Sequence, residues 1–202
     1  MKQGNPLVGA MGGPGVAASG GGLKDTWAVS FRESPDLLYL LLRPDFKVLE
    51  CEASITRLLE KKLEYGKQMT IRIEGHTYSK GDFLLRLCTA TQAIQSTQAL
   101  LGHILEVEYL PVSSMSTADG MMGEMLDLLR QLAAAGGSGG GGATLEIVKP
   151  PYDKYGLSGL PYGRCHAAVA YGELVVTLLS ASSAAGAAAA AQQQQQAVKV
   201  ER

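Results

Sequence analysis

Apolar and polar residues alternate along several short stretches of the chain, and this pattern predicts a protein built on a β-sheet. In a strand, successive side chains point to opposite faces, so Leu-Glu-Val-Glu-Tyr at 105–109 places three apolar side chains on one face and two carboxylates on the other. Alternating or continuously apolar runs predict strands at residues 26–32, 37–42, 69–74, 82–88 and 104–110. Strands in this order, without regular helical crossovers, favour a mainly antiparallel sheet and an α+β fold.

The first two strands are predicted to form an antiparallel hairpin. Residues 26–32 alternate, whereas residues 37–42 are apolar on both faces, as expected of a buried strand. Between them, residues 34–36 (Ser-Pro-Asp) predict a turn, because proline fixes φ and the short polar side chains bond locally. In the same way, Gly75 and Gly81 bracket a predicted connection between the next two strands.

Apolar residues at three- and four-residue steps predict amphipathic helices packed on the sheet. These helices span residues 46–65, 118–134 and 164–180. Asp45 is a suitable N-cap for the first helix and Gly66 a suitable end. Ser116 or Thr117 can cap the second helix, and a short strand is predicted at residues 144–148, before the third helix.

Composition divides the 202 residues into a foldable part and three biased segments. Eight of the 25 glycines lie in residues 1–22 and six lie in residues 136–142, while residues 187–196 contain only Ala and Gln. Such stretches bury too little apolar surface to offset the entropy of ordering them. We therefore predict a disordered Gly/Ala-rich tail at 1–22, a single domain at 23–180 with a flexible insert at 136–142, and a low-complexity Ala/Gln tail at 181–202.

The charge pattern argues against direct nucleic-acid binding. The net charge is −1 and the sequence pI is near 6.3, whereas proteins that grip phosphate backbones carry clustered cations. The densest basic cluster is Arg57, Lys61, Lys62 and Lys67, with Glu60 and Glu64 among them. This mixture is typical of a solvated helix face.

The cysteines and the chain start predict a soluble intracellular protein. Cys51, Cys88 and Cys165 have no paired spacing, which disfavours both a disulfide framework and a zinc site and indicates free thiols in a reducing compartment. The N-terminus lacks the basic start and apolar run of a signal peptide. No continuous run of 18 or more apolar residues predicts a membrane span.

Two local patterns resemble reactive sites but do not meet the requirements of one. Cys165 and His166 are adjacent on a predicted helix, where neighbouring side chains diverge by about 100°, so they do not face each other as a nucleophile and base. Gly20-Gly21-Gly22 precedes Lys24 but lacks the Gly-Lys-Ser/Thr ending of a phosphate-binding loop.

Glu106 and Glu108 form the one pattern that offers a second function. Carboxylates at i and i+2 of a strand share a face, as tunnel-type triphosphatases require for a divalent metal, so the alternative is a metal-dependent phosphohydrolase. Those enzymes use a longer Glu-x-Glu-x-Lys pattern, and Leu110 stands at the lysine position here. The simpler interpretation is the solvated face of a half-buried strand. Glu50 and Glu52 fall in the first predicted helix, where side chains at i and i+2 diverge.

Residues 71–109 contain a Gly and a Tyr before an Asp-Phe-Leu strand, and Glu-Val-Glu-Tyr follows after a short link. The positions are Gly75, Tyr78, Asp82, Phe83, Leu84, Glu106, Val107, Glu108 and Tyr109. This combination resembles the Mediator subunit 20 family, in which the same motifs occur in the same order. Weaker similarity extends over residues 23–180.

The resemblance implies a curled, incomplete β-barrel with packed helices and a non-catalytic role in the Mediator head module. It further implies a nuclear coactivator that links gene-specific regulators to RNA polymerase II. The implied partners are Mediator subunit 18, as a heterodimer, and subunit 8; nothing in it implies a catalytic, metal or cofactor residue, direct nucleic-acid binding or a membrane. It leaves the partner-binding residues open. The family usually begins with an extra helix and strand, and the Gly/Ala-rich start of this chain leaves completion of the sheet open.

Overall fold

A computed structural model describes residues 6–12, 26–43, 45–62, 66–94, 97–135 and 144–200. The strands in these ranges are β1 (Pro6–Gly12), β2 (Thr26–Phe31), β3 (Ser34–Leu42), β4 (Lys47–Glu52), β5 (Gly66–Lys80), β6 (Phe83–Ile94) and β7 (Thr97–Tyr109). The helices are α1 (Ile55–Lys62), α2 (Met115–Ala135) and α3 (Arg164–Val200).

One antiparallel sheet contains all seven of these strands, in the order β4-β3-β2-β1-β5-β6-β7. Two three-stranded groups, β2 to β4 and β5 to β7, are joined through β1, which pairs with β2 on one side and β5 on the other. Because β1 spans Pro6–Gly12, the prediction that residues 1–22 form only a disordered tail was wrong for this stretch. Composition did not predict this strand, because its hydrogen bonds come from β2 and β5, which lie far away in the sequence.

The hairpin of β2 and β3 is confirmed, but its turn lies two residues earlier than predicted. Ser34 already pairs with Phe31, so the turn consists of Arg32 and Glu33. Pro35 is tolerated inside β3 because it lies at a shift in the β2 register and before the stretch that pairs with β4.

The predicted helix at residues 46–65 was wrong over its first half. Lys47–Glu52 is strand β4, and the helix α1 begins only at Ile55. The apolar side chains of this stretch serve a strand: Val48 packs against the main core, and the Cys51 thiol donates to the Leu38 carbonyl oxygen at 3.2 Å. Pairing with β3 thus overrides a local helical spacing. Asp45 precedes a strand and so does not cap a helix, and Gly66 begins β5. Residues 63–65 lie outside the described residues.

The predicted strands at 69–74, 82–88 and 104–110 are confirmed as parts of longer strands, β5, β6 and β7. The connection between β5 and β6 is the tight turn at Gly81 and Asp82, and Gly81 has φ of 57°, in the left-handed region that favours glycine. Gly75 does not bracket the connection as predicted but lies inside β5. A side chain there would overlap the Leu87 carbonyl group, so the strand requires glycine at this position for close approach.

The helix α3 lies across one face of the sheet and organises the core. It contacts β4 at one edge of the sheet and β7 at the other, so the sheet curls around it. Fully buried side chains from sheet and helix meet there, among them Val29, Ile71, Ile73, Val169 and Val175. Full burial of such a side chain contributes about 1.5–3 kcal/mol. Since β4 and β7 do not pair with each other, the described sheet is curled but not closed, which confirms the predicted α+β fold.

The last two predicted helices are confirmed, with different limits. α2 begins at Met115, where the Ala118 amide donates to the Ser114 carbonyl oxygen, and not after Ser116 or Thr117. α3 continues as helical backbone to Val200, through much of the predicted tail. The predicted strand at 144–148 was wrong, because these residues pair with none of the described strands.

One stretch of α3, Arg164–Ser182, has the length and apolar content that a membrane span needs. The sequence predicted no membrane span here, because no single run is continuously apolar. Its inward residues Ala168, Val169 and Val175 are fully buried against the sheet. The fold buries 39% of this stretch, so its place as the core helix accounts for part of its apolar content.

Candidate functional site

Glu106 and Glu108 lie on one face of β7, as predicted, and both bind the same guanidinium group. Arg86 lies on β6 directly opposite Glu106. Its Nη1 lies 2.9 Å from Glu106 Oε2, and its Nη2 lies 3.0 Å from Glu108 Oε2. From α3, the Tyr171 hydroxyl donates to Glu106 Oε2 at 2.6 Å. We call Arg86, Glu106, Glu108 and Tyr171 the latch cluster.

The interpretation of the two glutamates as a solvated strand face was wrong. They share their face with the buried Ile104, and this is the face toward α3. The side chain of Glu106 is 20% exposed and that of Glu108 is 35% exposed. Carboxylates tolerate such a position when cations and hydroxyl donors replace water. Arg86 and Tyr171 fill that role.

Electrostatics in the latch cluster favour the charge states that hold it together. Burial, and then the neighbouring Glu106 carboxylate, raise the pKa of Tyr171 well above its usual range, so its hydroxyl remains a donor. Burial alone would lower the pKa of Arg86, but the carboxylates of Glu106 and Glu108 outweigh it and raise that pKa. A guanidinium between two carboxylates leaves a net charge of about −1 at this point of the sheet.

This geometry joins elements rather than presenting reactive groups. The space between the two carboxylates is taken by the guanidinium, so a divalent ion would have to displace Arg86. Among the described residues, no group of three or more His, Cys, Asp and Glu side chains gathers as metal ligands would. The contacts of the latch cluster fasten α3 to β6 and β7.

Cys165 and His166 do not form a nucleophile–base pair. His166 is buried, and its Nδ1 accepts from the Gly163 amide at 3.2 Å while its Nε2 lies 3.0 Å from the Leu157 carbonyl oxygen. Both ring nitrogens are thus engaged with backbone, which fixes the loop before α3. Burial raises the pKa of the Cys165 thiol, the opposite of what a reactive thiolate needs.

The remaining predicted positions do not combine into a site. Glu50 and Glu52 share a face of β4 because that stretch is a strand and not a helix, and Glu52 accepts from the Ser54 hydroxyl at the surface. Arg57, Lys61 and Lys62 are exposed on α1, in agreement with the predicted solvated helix face, whereas Lys67 lies on strand β5 and not on the helix. The Gly20-Gly21-Gly22 and Lys24 positions lie outside the described residues.

An apolar surface lies on the opposite face of β5, β6 and β7, away from α3. Tyr78 pairs with Leu85, Leu85 with Val107, and Leu87 with Leu105, so their side chains lie side by side. Leu87 is 52% exposed and Tyr78 is 46% exposed. We call these five residues the outer apolar face. The sequence carried a signal for it, the consecutive pair of Leu84 and Leu85, which places an apolar side chain on each face of β6.

A match to a family model shows the family of the chain. Residues 16–172 match the family model described as the TATA-binding related factor (TRF) of subunit 20 of the Mediator complex. The chain belongs to this family. It is similar to subunit 20b of the Mediator of RNA polymerase II transcription from Arabidopsis thaliana, with 31% identity over 152 residues, 75% of this chain and 67% of that protein. The resemblance carried by residues 71–109 is thereby confirmed.

Proposed function

We propose that this member of the Mediator subunit 20 family is a non-catalytic component of the Mediator head module. It acts in the nucleus by holding other proteins, as part of the coactivator that links gene-specific regulators to RNA polymerase II. The family match over residues 16–172 is the observation that carries this proposal. The latch cluster supports it, because Arg86 occupies the carboxylates that a phosphohydrolase would need for metal.

The partners follow from the same proposal. Mediator subunit 18 forms a heterodimer with this chain, and subunit 8 tethers the pair to the rest of the head. No cofactor, nucleic acid or membrane takes part. These assignments rest on family resemblance, and the described structure adds a surface on which a partner can bind.

That surface is the outer apolar face. A side chain such as Leu87, 52% exposed beside Tyr78 on a regular strand, offers apolar area to a second protein. Full burial of one leucine-sized side chain is worth about 1.5–3 kcal/mol. A few such side chains on neighbouring strands supply the central contacts of an interface.

A co-purification experiment tests the proposal. We expect the tagged full chain to recover Mediator subunits from nuclear extract, and Leu87→Glu to recover at least tenfold less subunit 18, because it places a charge in the contact. Leu49→Glu on β4 is the matched control, since Leu49 is 47% exposed on the opposite edge of the sheet. Recovery of no Mediator subunit by the unmodified chain would contradict the proposal. So would metal-dependent phosphate release that Glu108→Ala abolishes.

A further inference from the structure

The two edges of the sheet differ in a way that bears on partner binding. β4 has 6 residues and carries Lys47, Glu50 and Glu52, which are features that protect an edge from pairing with another chain. β7 has 13 residues and spans the full length of β6. Along β7 the only charged side chains are Glu106 and Glu108, and both are engaged by Arg86 on the inner face. The β7 edge therefore lacks the short length and the exposed charges of the β4 edge. It does carry a bulge at Leu101 and the inward-facing Glu106 and Glu108.

Within the part of the chain that the structure describes, the backbone of β7 is paired on one side only. Its neighbour in the sheet is β6, and no backbone group of Thr97–Tyr109 bonds to another described segment. In a strand, alternate N–H and C=O groups point to each side, so about half of those in β7 point away from β6. These groups form a template for one more strand.

The side chains beside this edge specify what that strand carries. Val107 lies on the outer apolar face, so the strand places an apolar side chain next to it. Glu108 lies on the other face, is 35% exposed and belongs to a cluster with two carboxylates and one guanidinium. A Lys or Arg opposite Glu108 completes the charge balance.

We propose that the edge of β7 receives an extended strand from another Mediator subunit, with a basic side chain opposite Glu108 and an apolar one opposite Val107. The inference rests on the proposed function and adds to it both the place and the mode of contact. Backbone hydrogen bonds supply affinity in this mode, and side-chain positions supply specificity. The outer apolar face continues across β6 and β5 from this edge, so one partner can engage both surfaces.

Hydrogen–deuterium exchange measured by mass spectrometry tests the mode of contact. The isolated full chain is compared with Mediator purified through a tagged copy of the same chain. We expect the β7 amides that point away from β6 to exchange at least tenfold more slowly in the complex, because new strand pairing protects them. The β4 amides on the opposite edge serve as the reference and keep their rates.

A charge variant tests the side-chain assignment. We expect Glu108→Gln to weaken assembly about two- to fivefold, the range of an exposed ion pair, and to reduce its dependence on salt. Glu52→Gln on β4 is the matched control and leaves assembly unchanged. Equal effects of the two variants on assembly would contradict the assignment of a basic partner side chain opposite Glu108.

The exchange and assembly results together distinguish the strand contact from the proposed function. Assembly into Mediator with unchanged β7 exchange overturns the strand contact and leaves the proposed function standing. Failure of the chain to assemble at all overturns both. Protection of β7 in the isolated chain, with the mass of a dimer in light scattering, shows a second copy on the edge and overturns the choice of partner.

Discussion

At the scale of single residues, the Tyr171 hydroxyl decides how firmly α3 is attached to the sheet. It donates at 2.6 Å to a carboxylate that is mostly shielded from water and already bound by Arg86. We expect Tyr171→Phe to lower the free energy of unfolding by about 1.5–3 kcal/mol, the cost of losing a hydrogen bond to a charged group. Urea unfolding followed by circular dichroism measures it. Tyr78→Phe, at a half-exposed ring on the outer apolar face, is the control and changes stability little. Equal losses in both variants would contradict a special role for Tyr171.

The same residues show which part of the site can be predicted from the sequence. Glu106 and Glu108 were found because a strand places i and i+2 on one face, which is a local rule. Arg86 and Tyr171 were not found, since they lie 20 or more positions away and meet the glutamates only through the β6–β7 register and the path of α3. Without them, the orientation of the carboxylates toward the core was predicted wrongly.

At the scale of elements, long-range pairing explains where local patterns failed. Residues 47–52 have helical apolar spacing but form β4, because the hydrogen bonds offered by β3 outweigh a weak local preference. Residues 37–42 were predicted correctly as a strand, because a continuously apolar run is buried whichever strands lie beside it. Elements whose pattern and tertiary setting agree were predictable, and those held by a distant partner were not.

Close packing of α3 on β3 gives a prediction at this scale. A Cβ at Gly172 would overlap the Leu41 side chain, which is fully packed in the core. Overpacking costs about 1–3 kcal/mol, and the better helix propensity of alanine returns about 1. We therefore expect Gly172→Ala to destabilise the protein by about 1 kcal/mol in thermal or urea unfolding. Gly120→Ala on α2 is the control: it meets open space and is expected to stabilise by about the same amount. A stabilising Gly172→Ala would show that α3 can move away from β3.

At the scale of the whole molecule, one helix holds the curled sheet together. The alternating strands predicted an antiparallel sheet, but strand order is not a local property, and the placement of β1 between the two halves followed from no motif. α3 touches strands near both ends of that order, so attachments along it are coupled to the integrity of the entire sheet. Several of them involve tyrosines: the Tyr171 hydroxyl donates to Glu106, and the rings of Tyr152 and Tyr162 lie against His166 of α3. High pH is therefore a direct probe of this coupling.

Burial, and then the charge of Glu106, raise the pKa of Tyr152 from 10.0 to about 12, and they raise that of Tyr171 further. An acid with a raised pKa in the folded state stays protonated while the unfolded chain ionises. Stability is thus independent of these groups below about pH 10 and falls as pH rises from about 10 through 12. Urea unfolding across this range, with tyrosinate absorbance as a second signal, measures the fall. Tyr152→Phe is expected to reduce the decrease in the free energy of unfolding between pH 10 and 12. A constant free energy of unfolding up to pH 12, or ionisation of all tyrosines near pH 10 in the folded protein, would show that these hydroxyls are not shielded.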